Sequence, residues 1–221
     1  MATINQIIYN IRGQINQAKS DDLKISDRQL EFMVNYIREK LIVQQLQKGR
    51  SISSNIKQDL GLVNLQLMDA SESTILSGKH IFRTIDKVPQ PIELDQMDLF
   101  TYIGGINRQS AIPYKTKAAV RWNKYNKYGS KSPIAYYSEG YIYITNCANP
   151  LLQTINIEGV FLNPRDVQKF KFPNGNPCYN PDVDNYPISG RMIDTLNDLV
   201  KKELNIFLQS KEDTTNDAQA N

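Results

Sequence analysis

The apolar residues of this chain change their spacing twice, and that change constrains the fold more than any other feature of the sequence. Near the start, Ile4, Ile7, Ile8, Ile11 and Ile15 follow the 3, 4, 7 spacing of one helix face. Thr3 and Gln6 stand at capping-box spacing, which marks where that helix begins. A polar stretch from Ala18 to Ile25 ends it. Ser26 and Gln29 repeat the start signal, and Leu30, Met33, Val34, Ile37 and Leu41 form a second apolar stripe. Arg28, Glu31, Arg38 and Glu39 lie largely off that stripe, and Gly49 is a stop. Two helices joined by a short polar turn predict an antiparallel helical hairpin.

From about His80 to Gly159 the pattern becomes that of strands. The clearest element is Ile134 to Thr145, where Ser138-Glu139-Gly140 reads as a three-residue hairpin loop with Gly in the left-handed position. That register pairs Tyr137 with Tyr141 and Ala135 with Tyr143 on one face. Tyr136 then meets Ile142, and Ile134 meets Ile144, on the other. The aliphatic face belongs in a core. The tyrosine row suits either a partner surface or a second packed layer within the chain. Leu62, Val63, Leu65 and Leu67 read as a short strand or a helical turn. Asn163-Pro164 opens a short helix to about Phe170, and a loop rich in Pro, Asn and Gly follows. The last helix runs from about Ser189 to Leu208 on Met192, Ile193, Leu196, Leu199, Val200 and Phe207.

Helices and strands segregated along the chain predict an α+β fold: an N-terminal helical hairpin, a central antiparallel β region, and a C-terminal helix packing back on the bundle. The expected organisation is a hairpin over 1–50, a mixed linker over 51–79, a β domain with a long hairpin arm over 80–162, and the loop and closing helix over 163–210. The segment 211–221 has no large apolar residue and reads as a disordered or partner-docked tail. No apolar run approaches the ~20 residues a membrane span needs, and no targeting segment is read at the N-terminus.

The chain offers little to catalysis. His80 is its only histidine, and no GxSxG elbow accompanies it. Ser77-Gly78-Lys79-His80 lacks the preceding glycine and the hydroxyl residue of a phosphate loop. Cys147 and Cys178 form no CxxC pair, so neither a zinc site nor a disulfide framework is expected. Glu93, Asp95 and Asp98 follow two prolines and read as an exposed turn. No cofactor, metal or small-molecule substrate is expected.

The net charge is +3, but it is unevenly spread. Between Leu99 and Ser138 there is no acid, while Arg108, Lys115, Lys117, Arg121, Lys124, Lys127 and Lys131 are all basic. Within this stretch Arg121-Trp122-Asn123-Lys124-Tyr125-Asn126-Lys127-Tyr128 alternates cations with rings. Such a segment can hold phosphates with Lys and Arg and stack rings on bases. The plainer reading is a long β-hairpin arm, and an interface anchored by Trp, Tyr and Arg would use the same composition. Two sets of candidate residues follow. Trp122, Tyr125, Tyr128, Tyr137, Tyr141 and Tyr143 are candidates for a subunit interface. Arg121, Lys124, Lys127 and Lys131 are candidates for contact with phosphates or a DNA channel.

Several segments in order resemble the head–tail connector or ring (adaptor) proteins of crAss-like, short-tailed bacteriophages. They are Asp27-Arg28-Gln29-Leu30, His80-Ile81-Phe82-Arg83-Thr84 with Val88-Pro89, Tyr136-Tyr137 to Ile144, Glu158 to Arg165, and Tyr186-Pro187-Ile188. The chain departs from that pattern in having no cysteine before the strand that His80 begins. The resemblance implies a ring, usually of twelve copies, stacked beneath the portal protein and touching neighbouring connector or tail proteins. Such a ring extends the DNA channel, meets passing DNA transiently, seats the tail and does no chemistry. It implies a place in the virion, after assembly in the bacterial host cytoplasm. The reading kept beside it is a nucleic-acid-binding phage accessory protein using 121–131.

Overall fold

The computed structural model describes residues 2–18, 25–69, 80–94, 97–125 and 132–216. Its elements in chain order are α1 (Ile4–Ala18), α2 (Asp27–Gln47), β1 (Gln58–Met68), β2 (His80–Thr84), β3 (Glu93–Leu94), β4 (Met97–Asp98), β5 (Phe100–Gly104), α3 (Lys117–Trp122), β6 (Ile134–Ser138), β7 (Tyr141–Cys147), β8 (Thr154–Gly159) and α4 (Ile193–Asn216). They fall into two compact units. One comprises Met1–Ile56 with Pro181–Asn221, and the other comprises Lys57–Asn180.

The second unit is a six-stranded antiparallel sheet in the order β5-β8-β1-β2-β7-β6. The main chain of 111–115 closes it almost completely. On one side the Ile112 N–H donates to the Ile103 carbonyl of β5 at 2.7 Å. On the other, the Ala135 N–H of β6 donates to Pro113 O and the Lys115 N–H donates to Ala135 O, both at 2.9 Å. One short segment therefore satisfies both edges of the sheet, which becomes a nearly closed barrel. Leu60, Val63, Phe82, Ala135, Ile142, Ile144, Ile155, Ile157 and Phe161 fill the inside. Phe100 packs there against Tyr114, Tyr137 and Phe161, with ring centroids 5.2, 5.7 and 6.3 Å away.

This architecture corrects the expected fold class. The chain is not an α+β helical hairpin completed as a bundle around a β region. A barrel organises it, and the barrel begins at Gln58. Within the helical unit, α1 and α2 each pack more extensively on α4 than on one another. The sequence hides β1 because a bulge between Asp59 and Leu62 shifts its alternation by one residue. Leu60 is buried within the bulge, and Val63 and Leu65 are buried after it.

The hairpin register is corrected too. Glu139 and Gly140 both have positive φ (58° and 88°), so the loop has two residues and not three. Its twist matches that of the strands it joins. Tyr136 therefore pairs with Tyr143, Tyr137 with Ile142 and Ser138 with Tyr141.

In the helical unit both expected capping boxes are present. Thr3 N–H donates to Gln6 Oε1 at 3.0 Å and Gln6 N–H to Thr3 Oγ1 at 3.3 Å. Ser26 and Gln29 repeat the exchange at 3.1 and 3.3 Å. Arg38, placed off the apolar stripe by the sequence, is fully buried. Its Nε donates to the Pro187 carbonyl at 2.7 Å and its guanidinium lies 5.7 Å from the centre of the Tyr186 ring. The Tyr186 hydroxyl in turn donates to Asn35 Oδ1 at 2.7 Å.

The seam closing the barrel needs a residue without a side chain at Gly104. A Cβ there would lie 2.3 Å from the Ser110 carbonyl oxygen. Gly104→Ala is expected to destabilise the barrel by about 1–3 kcal/mol, the cost of forcing backbone apart at a close approach. Urea denaturation followed by circular dichroism checks this, and an unchanged midpoint contradicts it.

Candidate subunit interface

Among the described residues of the acid-free stretch, several cations are engaged within the chain. Arg108 is held by two carboxylates, with Nη2 at 2.5 Å from Asp59 Oδ2 and Nη1 at 3.1 Å from Glu158 Oε2. Lys57 and the Thr101 hydroxyl also reach Glu158, at 3.6 and 3.0 Å, so this network links β5, β8 and β1. Lys115 Nζ donates to Asn123 Oδ1 and Lys117 Nζ to Ser138 Oγ, each at 3.2 Å. These bonds hold the segment around α3 in place.

Where the sequence allows a hairpin arm, the chain from Lys117 to Tyr125 is helical: α3, then a 3₁₀ turn over Asn123–Tyr125. Thr116 caps α3 by accepting from the Ala119 N–H. Val120 is the buried anchor, packed with Ile134 and Tyr136 on the outer face of the β6–β7 hairpin. The other side of this helical corner carries Arg121, Trp122 and Tyr125. All three are exposed, Trp122 at 71% and Tyr125 at 70%. The Trp122 and Tyr125 rings lie 5.9 Å apart, so they form one apolar projection beside a cation.

The hairpin tyrosines are divided between two faces. Tyr137 points into the barrel core. Tyr143 stacks on Tyr136 at 5.0 Å, with the rings nearly parallel. Tyr141 lies under the Arg83 guanidinium at 4.8 Å and the Lys87 ammonium at 5.9 Å. Lys124 lies in the 3₁₀ turn. Lys127, Tyr128 and Lys131 lie outside the described residues, as do Asp95 and Ser77-Gly78-Lys79.

The helical unit has an aromatic patch that the sequence reading missed. Phe32, 71% exposed, and Tyr36 stack with parallel rings 6.5 Å apart on α2. They flank a groove of about 610 Å³ whose apolar lining includes Ile25, Met33, Ile37 and Leu204. Their i, i+4 spacing was the available signal. It was obscured by the adjacent stripe that fills the core.

His80 is exposed on β2. Burial, with the Asp59 carboxylate adding to it, pushes the Cys178 thiol up to about 12, which favours the protonated thiol at neutral pH. Among the described residues no cluster of His, Cys, Asp or Glu could hold a metal, and no helix is long and apolar enough to cross a membrane.

A family model described as phage tail ring protein 2 matches residues 6–221. No curated protein matches the chain.

Tyr136 gives the hairpin face a measurable property. Burial, with Tyr143 adding and Arg121 opposing, pushes its phenol from 10.0 up to about 12. A folded value above the unfolded one means that the unfolded chain loses this proton first. Stability from this group is intact below pH 10 and lost as pH rises from 10 to about 12. Tyr136→Phe is expected to lessen the alkaline fall in stability across that window, as read by urea titrations at stepped pH. An identical pH profile rules out the assignment.

Proposed function

The chain belongs to the phage tail ring protein 2 family, and from that premise we propose that it is a non-enzymatic subunit of a closed ring in the head–tail connector. In this reading the ring lies below the portal protein, extends the DNA channel and seats the tail. Its partners are further copies of itself (twelve in the full ring), the portal, adjoining connector or tail proteins, and DNA in transit. It acts in the virion, after assembly in the host cytoplasm.

One observation carries the assembly reading: the exposed Trp122–Tyr125 projection on a capped, internally anchored helix. A ring closes through head-to-tail contacts, in which one patch of each copy meets a different patch of the next. Large aromatics flanked by Arg are the residues that most often dominate such contacts. Holding them on a short helix packed against the barrel lowers the entropy lost on docking. The scarcity of reactive groups agrees with a structural role.

The purified protein, alone or mixed with portal protein, is expected to give closed rings in electron micrographs. The Trp122→Ala/Tyr125→Ala double variant should keep its circular dichroism spectrum. It should lose rings and weaken self-association by roughly 30-fold or more, the scale of a lost hot spot of about 2 kcal/mol. Only monomers from the wild type in both settings would defeat the ring reading. Normal rings from the variant would leave that reading standing and remove this projection as its anchor.

A further inference from the structure

The helical unit holds a second concavity, a polar cleft of about 880 Å³ between the end of α2 and the approach to α4. Three cations line it: Lys48 and Arg50 just beyond α2, and Arg191 in the 3₁₀ turn before α4. Ser51, Ser53 and Ser189 add hydroxyls, and among the described residues no carboxylate is part of the lining. Asp194, in the first turn of α4, is exposed and does not belong to it. Ser189 occupies a cap position, yet its side chain makes no capping bond. Its hydroxyl is thus not used by the helix it precedes.

Concave placement distinguishes these cations from scattered surface charge. Walls of one sign focus the field and raise the local concentration of a counter-charged ligand. Two arginine forks supply paired donors that match the oxygens of a phosphate, and the hydroxyls donate to the remaining oxygens. The cleft's volume falls within the roughly 300–1,000 Å³ of ligand-binding clefts. It exceeds what a single small anion fills and suits successive phosphates along a chain.

We propose that this cleft binds the phosphodiester backbone of a nucleic-acid strand. The inference does not depend on ring assembly. It assigns the nucleic-acid contact to residues of the helical unit and not to the basic-aromatic stretch that the sequence brings forward.

The test is a titration of the full-length protein with a labelled mixed-sequence single strand of about 20 nucleotides, at 50 and 200 mM salt. Three phosphates neutralised predict a log–log salt slope of about −2, hence roughly 15-fold weaker binding at the higher salt. Arg50→Ala/Arg191→Ala should weaken binding at low salt about tenfold or more and reduce the slope by about 1.4. Arg28→Ala/Lys40→Ala removes the same charge from the same unit outside the cleft and should change binding less than twofold. Circular dichroism confirms that both variants fold. No binding at 50 mM salt, or equal loss in both double variants, overturns the proposal. Inorganic phosphate at a few millimolar competing fully points to a free-anion site, and polyglutamate competing as well as the strand points to an acidic polypeptide. Either result also overturns it.

Discussion

Closure of the barrel is the constraint on which the rest of its unit depends. Six antiparallel strands leave two edges, and each edge presents unpaired N–H and C=O groups that cost free energy unless satisfied. The segment 111–115 satisfies β5 with one side of its backbone and β6 with the other. Because that segment is fixed, Thr116 is fixed as a cap, and α3 starts where Val120 can reach Ile134 and Tyr136. The orientation of Trp122 and Tyr125 is thus a downstream consequence of main-chain hydrogen bonds about ten residues earlier. Gly104, whose missing side chain lets Ser110 approach, stands at the head of that sequence of dependencies.

Charge in the same unit serves the fold before it serves any partner. Arg108 sits in a run without acids, where nothing nearby in sequence offers it a counter-charge. In three dimensions it meets Asp59 and Glu158 from strands distant in sequence. A local count of charges cannot detect such pairing, because the carboxylates that neutralise the cation lie 49 or more residues away. Trp122 and Tyr125 are exposed, whereas the hairpin tyrosines are largely committed to partners within the chain.

The helix starts were legible because caps are local: Thr3, Ser26 and Asn163 each carry out their bond within three residues. The two-residue turn at Glu139-Gly140 was less so, since Glu is uncommon at positive φ, and one residue of loop length moves every tyrosine to another neighbour. β1 was obscured by its bulge. Arg38 was misread for a different reason. A cation on the flank of an apolar stripe normally faces water, and only the later arrival of Tyr186 and the Pro187 carbonyl makes its burial tolerable. The resemblance carried by ordered short segments named the family, although the expected arrangement of helices did not survive.

The helical unit is assembled from the two ends of the chain, with the whole of Lys57–Asn180 intervening. During synthesis α1 and α2 therefore emerge long before α4, on which both mainly pack. Their apolar stripes must wait for α4, with only each other to pack on, while more than a hundred residues of the other unit are made. The barrel is thus the part of this protein able to mature first. The helices remain open to wrong partners until the last element appears, which makes the order of translation itself a determinant of how cleanly subunits are produced.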